Sequence, residues 1–169
     1  VGFEMYAELL EETIQEMKGL ARKEEIDPEI KLGLSAFLPE NYVPDPNQRL
    51  IFYKKLSAAG DEEELYGLID ELRDRFGKIP EPAVLLLEIM KLRVLMKQLK
   101  IALAEYDGRQ IVFAFHASTP VEPEKILALI EKQAARYAVS PDYRLFVKTG
   151  RLEAEERLQV TRKELLAFL

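Results

Sequence analysis

Residues able to do chemistry are few in this sequence, and their spacing limits what they can do. His116 is the only histidine and there is no cysteine. A zinc site at His116 would therefore need carboxylates as its remaining ligands. Its expected position, on a strand face shared with Val112 and Ala114, suits a structural role. Lys148-Thr149-Gly150 has the form of a serine-hydrolase tripeptide, but no S-x-x-K nucleophile accompanies it. No G-x-x-x-x-G-K-[ST] or G-x-G-x-x-G loop is present to cradle a phosphate. Two carboxylate pairs, Glu71 with Asp74 and Glu155 with Glu156, could exchange protons only in a pocket that drives their pKa values apart. Glu71 and Asp74 fall on a face expected to be outermost. The expectation is a chain without catalysis, cofactor or metal of its own, whose chemistry lies in surface charge.

That charge is concentrated on one element. Asp61 with Glu64 three residues later forms a capping-box pattern, and Gly77 followed by Pro80 stops the helix that it starts. The pattern predicts a helix over Glu62–Phe76. Leu65, Leu68, Ile69, Leu72 and Phe76 make its apolar stripe, with Glu63, Asp70, Glu71 and Asp74 opposite. From Asp61 to Phe76 seven acids meet two bases, a balance of −5 against −6 for the whole chain. Spacing leaves two readings open. The acids could be a solvated face with ordinary i, i+4 pairs such as Glu71 with Arg75, or a docking surface for a basic partner. Asp70 and Asp74, like charges one turn apart, count against the first, yet on spacing alone the solvated face is the stronger of the two readings.

The rest of the composition sets the frame. A chain of 169 residues, 48% hydrophobic and 32% charged, is the size of one globular domain and buries about 70% of its unfolded surface. No apolar run approaches the roughly 18 residues of a membrane span. The lack of cysteine suits a reducing, cytoplasmic setting. A net charge of −6 and a pI near 5.1 argue against strong DNA binding by the domain as a whole. The bases between Arg144 and Lys163 leave room for a local nucleic-acid or polymerase contact.

Along the chain, Phe3, Tyr6, Leu10, Ile14 and Met17 are spaced for one face of a helix that ends near Leu20. Because the sequence opens at Val1 already in helical register, it reads as a piece of a longer polypeptide. Residues 1–25 read as a helix and linker, and 26–169 as a domain. "EIKLGLSAF" alternates as a strand. Asn47 to Ala59 reads as a helix with Leu50, Tyr53 and Leu56 inward and Gly60 as its stop, forming a hairpin with the acidic helix. The helix opened by Pro82 is apolar on two sides and should be central. "IALAEY" and "RQIVFAFHA" about Asp107-Gly108 read as a β-hairpin. A further helix carries Ile126, Leu129, Ile130 and Tyr137 inward, "YRLFVKT" is a strand, and Thr161 with Glu164 caps a terminal helix. The order predicts an α+β fold, a helical first part packed with a small, mostly antiparallel sheet.

Three stretches, "GFEMYAELLEETIQEMKG", "PDPNQRLIFYKKLSAAGDEEEL" and "LIDELRDRFGKIPEP", closely resemble the C-terminal region of the bacterial transcription-repair coupling factor (Mfd) family. The likeness is strong from Gly2 to about Ile101 and looser beyond. It implies a role more than a reaction. The family is an ATP-driven translocase on double-stranded DNA that displaces stalled RNA polymerase and recruits the repair protein UvrA. Its motor, and the ATP it uses, lie upstream of such a segment. The resemblance implies that the helix in residues 1–25 follows the motor as a hook-like element, its apolar face belonging partly to that motor. It further implies an autoinhibitory domain that clamps onto the family's N-terminal UvrA-binding module. Glu71 and Asp74, with Asp70 and Glu63 beside them, would pair with arginines of that module.

Overall fold

A computed structural model describes residues 26–169. The helix and linker expected over 1–25 lie outside the described residues. Five helices and five strands follow: β1 (Glu29–Lys31), α1 (Pro46–Ala58), α2 (Glu62–Phe76), α3 (Glu81–Leu99), β2 (Ile101–Tyr106), β3 (Gln110–Phe115), α4 (Pro123–Lys132), β4 (Tyr137–Val139), β5 (Arg144–Lys148) and α5 (Ala154–Leu166). The fold is α+β, as the order of patterns predicts. Its sheet runs β1-β2-β3-β5-β4, parallel only where β1 meets β2 and antiparallel elsewhere.

Two apolar clusters share one helix. The first lies among α1, α2 and the start of α3 and includes Phe52, Leu56, Leu65, Leu72, Leu87 and Met90. The second lies against one face of the sheet, where Ile111, Phe113, Leu145 and Leu165 meet Leu92 and Met96 of α3. Two-sided apolar patterning thus places α3 at the centre. Lys100 alone joins α3 to β2, in a left-handed conformation (φ 51, ψ 53). Beyond the Asp107 turn, the Arg109 and Gln110 backbone N–H groups donate to Asp107 Oδ1 at 2.9 and 3.0 Å, closing the hairpin.

Several elements depart from the sequence pattern for physical reasons. The strand expected through Phe37 stops at Lys31, because Gly33 takes φ +67 and turns the chain. Helix α1 buries Phe52 and Leu56, while Leu50 is 46% exposed, so its inward face is rotated from the expected one. Tyr53 is held at the edge by accepting the Leu38 N–H at its hydroxyl, 2.7 Å away. Gly60 lies one residue past the cap at Ala59. Tyr137 belongs to β4 rather than to the preceding helix. Gln133, Ala134 and Ala135 are all exposed and offer α4 nothing to bury past Lys132, whereas Tyr137 pairs with Val147 in the sheet.

The terminal helix begins at Ala154, seven residues ahead of Thr161. Glu156 Oε1 accepts the Glu153 N–H at its start, 3.2 Å away. Thr161 is buried inside the helix and donates to the Arg157 carbonyl at 2.6 Å, the back-bond that satisfies a hydroxyl in helical surroundings. Glu164 is a buried carboxylate that accepts from Arg136 Nη2 at 2.7 Å and from the Tyr137 hydroxyl at 2.8 Å. It locks α5 to β4.

Burial raises the pKa of Tyr137, and the hydroxyl's bond to Glu164 raises it further. Burial also raises those of Tyr42 and Tyr143. A folded-state pKa above the unfolded value near 10 means that the folded state holds its protons more tightly. The associated stability is complete below about pH 10 and lost as pH rises through the folded values. Melting temperature should therefore fall on titration above pH 10, and Tyr137→Phe should make that fall shallower. A fall of equal steepness in Tyr137→Phe would show that this hydroxyl is not the group involved.

Candidate functional site

Burial of Leu65, Ile69 and Leu72 fixes the orientation of α2. Its start is held twice. Asp61 Oδ1 accepts the Glu64 N–H at 2.8 Å, and Glu64 Oε2 accepts the Gly60 N–H at 2.9 Å, one residue earlier than the capping box expects. At its end Gly77 has φ 87, a conformation for which glycine carries no steric penalty. The Tyr42 hydroxyl ties that end down by donating to the Gly77 carbonyl at 2.9 Å. The acids opposite the stripe are thus mounted on a rigid element.

The four expected site residues separate into two sets. Glu63, Asp70 and Asp74 are exposed and lie within an arc of about 40° on the outermost side of the helix. Asp70 makes a loose, exposed pair with Arg73 at 3.6 Å. Among the described residues Glu63 and Asp74 make no ion pair. Glu71 sits about 60° round from Asp74, on the flank toward α1. Its Oε1 accepts from Arg75 Nη1 at 3.3 Å, and Arg75 Nη2 donates to Gln48 Oε1 of α1 at 3.1 Å. The same guanidinium lies 5.4 Å from the Phe52 ring centre and 5.1 Å from that of Phe76. Glu71 is therefore part of the α1–α2 hairpin as well as of its surface.

Sequence reasoning named the Glu71–Arg75 pair but missed Gln48 as a support of the site. It also missed an open groove of about 370 Å³ between α1 and α2, lined by Lys55, Ala58, Ala59, Glu64, Gly67 and Leu68. Its signal in the sequence was Gly67, a helix-weakening residue in the middle of a well-capped helix.

The remaining chemistry-bearing residues are placed structurally. His116 lies past the end of β3, where its ring Nδ1 meets Ser118 Oγ at 2.6 Å and its backbone N–H donates to the Lys100 carbonyl at 2.9 Å. In the tripeptide at Lys148, the Thr149 and Gly150 N–H groups both donate to the Arg109 carbonyl. Glu155 and Glu156 are exposed at the start of α5. Of the bases between Arg144 and Lys163, Arg144 pairs with Asp142 at 3.2 Å and Arg162 approaches Glu88 at 3.8 Å. Arg157 donates to the Leu32 carbonyl at 3.0 Å and covers the Tyr106 ring at 4.6 Å.

A protein-family model described as "TRCF domain" matches residues 32–126, more than half of the chain. The chain belongs to the TRCF domain family. Among similar proteins, the transcription-repair-coupling factor of Myxococcus xanthus is 34% identical over 148 residues, covering 88% of this chain and 12% of that protein. The one of Escherichia coli is 32% identical over 169 residues, covering 96% of this chain and 15% of that protein. The chain thus spans a small part of the length of these relatives. A solved structure, the C-terminal domain of transcription-repair coupling factor, superposes with a TM-score of 0.67 at 21% identity, covering 86% of this chain and 96% of that one. At that identity the likeness bears on the fold, and it agrees with the TRCF domain assignment. No helix among the described residues is long and apolar enough to cross a membrane.

Proposed function

We propose that this TRCF domain is an intramolecular latch without catalysis of its own. In the parent chain, an ATP-dependent DNA translocase that couples RNA polymerase stalling to repair, it docks on the N-terminal UvrA-binding module. Docking hides the UvrA-binding surface and restrains the motor. The observation that carries this reading is the exposed arc of Glu63, Asp70 and Asp74 on a doubly capped helix, with Glu71 on its flank. Carboxylates one turn apart on a rigid outward face fit arginine forks. Exposed pairs contribute only about 0–1 kcal/mol each, so the contact stays breakable, as a latch must be.

The structure refines the test. Glu71→Arg would set a second cation against Arg75 and loosen the α1–α2 hairpin, whereas Asp74 makes no ion pair among the described residues. Asp74→Arg is the cleaner variant. In the full-length protein it should open the latch by turning attraction into repulsion. Both UvrA capture without polymerase and basal ATPase should rise about fivefold or more, from roughly 1–2 kcal/mol of lost docking. Raising salt should partly mimic the variant, since the Debye length is about 10 Å at 0.1 M. Unchanged capture by a folded Asp74→Arg protein would return these acids to a solvated face.

A further inference from the structure

The helices that meet the sheet all do so on one face. Met96 of α3, Ile126 of α4 and Leu165 of α5 share the sheet-side cluster with Ala104, Phe113 and Val147. Strand alternation turns the sequence neighbours of those strand residues the other way. Leu103 on β2, Val112 on β3 and Phe146 on β5 are such neighbours, and none belongs to either apolar cluster. Val112 is nonetheless only 8% exposed, with Glu105 and Phe146 as its cross-strand partners. Ala138, next in the same row on β4, is exposed. An apolar strip therefore crosses a sheet face that no helix among the described residues covers.

The charges on this face are sorted by side. The sheet order sets β3 in the middle. On its β2 side stands Glu105, level with Val112. On its β5 side Arg144 and Lys148 stand two residues before and after Phe146, and so on the same face. Arg144 pairs with Asp142, whereas Glu105 and Lys148 make no ion pair among the described residues. A face that is apolar in the middle, negative on one side and positive on the other is complementary to itself.

We propose that a second copy of this chain covers this face, with the two-fold axis parallel to β3 and passing by Val112. A two-fold pairing brings the same patch of both copies together, and this axis lays β2 of each copy over β5 of the other. Val112 then meets its own counterpart, Leu103 and Phe146 fill the layer between the sheets, and Glu105 of each copy comes between Arg144 and Lys148 of the other. An axis across the strands would instead set Glu105 against Glu105 and Lys148 against Lys148, which charge disfavours. Five strands about 4.8 Å apart and six residues of β3 at about 3.4 Å each give a footprint of roughly 480 Å² per copy. That is below the roughly 800 Å² of a standard interface, so the pairing is weak and concentration-dependent. It uses none of the acids on α2 and stands or falls apart from the latch.

Sedimentation equilibrium of this chain tests the pairing. The native chain should be monomeric at about 5 μM and substantially dimeric at about 500 μM. Glu105→Lys and Lys148→Glu should each weaken the dimer about tenfold or more, because each places two like-charge contacts in it. Lys148 is exposed, so Lys148→Glu makes this change without touching the core. An equimolar mixture of the two variants should dimerise like the native chain, since every mixed pair regains both opposite-charge contacts. The chain carrying Glu105→Lys and Lys148→Glu together should also recover. A native chain still monomeric at about 500 μM would overturn the proposal and leave the face to a different macromolecule. A dimer that neither variant weakens, or that mixing does not restore, would place the contact elsewhere and overturn it equally.

Discussion

Leu92→Asp should abolish the cooperative unfolding transition of the domain. Leu92 is 1% exposed and belongs to the sheet-side cluster. A carboxylate there has no partner, so its desolvation adds to the lost burial of the leucine. Together these cost roughly 4–5 kcal/mol or more, against a typical total of about 5–15 kcal/mol for a domain. Met90, 7% exposed, faces the other cluster, and Met90→Asp should do the same from the opposite side of α3. Val84 on the same helix is 44% exposed, and Val84→Asp should change stability by less than about 0.5 kcal/mol. Thermal melts followed by circular dichroism separate the three. A parent-like melt for Leu92→Asp would mean that α3 is not the common wall of the two clusters.

The second large effect is expected at Glu164. Its removal leaves the Tyr137 hydroxyl without its acceptor and strips Arg136 of its ion pair, at positions where the pair's side chains are 5% and 37% exposed for Glu164 and Arg136. Arg136 can still reach water, which lowers the cost below the roughly 3–5 kcal/mol of breaking a fully buried pair. Glu164→Ala should destabilise by about 2–3 kcal/mol, the penalty of an unsatisfied buried donor plus a small cavity. Glu164→Gln keeps the shape and one acceptor and should lose about half as much. Equal losses in denaturant titrations would assign the effect to packing rather than to the bonds. The pair also bears on Arg136, whose bond to Glu164 raises an already high pKa.

Legibility followed the range of the forces involved. Helix α2 was readable to its end residues because Asp61, Gly77 and Pro80 act within a turn of the backbone that they shape. The outward direction of Asp70 and Asp74 was readable because it needs only the helical period and the apolar stripe. The tie from Glu71 through Arg75 to Gln48 was not, since it depends on how closely two helices approach across the hairpin. Thr161 misled for a related reason. A threonine followed by a glutamate three residues later imitates a cap, and only the packing of Leu158, Leu165 and Phe168 beside the sheet-side cluster shows that the helix is already under way. In β4, three residues gain their conformation from β5, and nothing local announces it.

The junction at Lys100 has a mechanical consequence. One left-handed residue leaves no slack between α3 and β2, so the two halves of the molecule have no compliant joint along the backbone. The outgoing strand is clamped as well, because the His116 N–H beyond β3 is bonded to the Lys100 carbonyl. A load applied to the acidic face of α2 passes through the apolar contact with α3 and reaches the sheet as displacement of a stiff body. Whatever seizes that face grips the whole domain, and strain is not dissipated inside the fold.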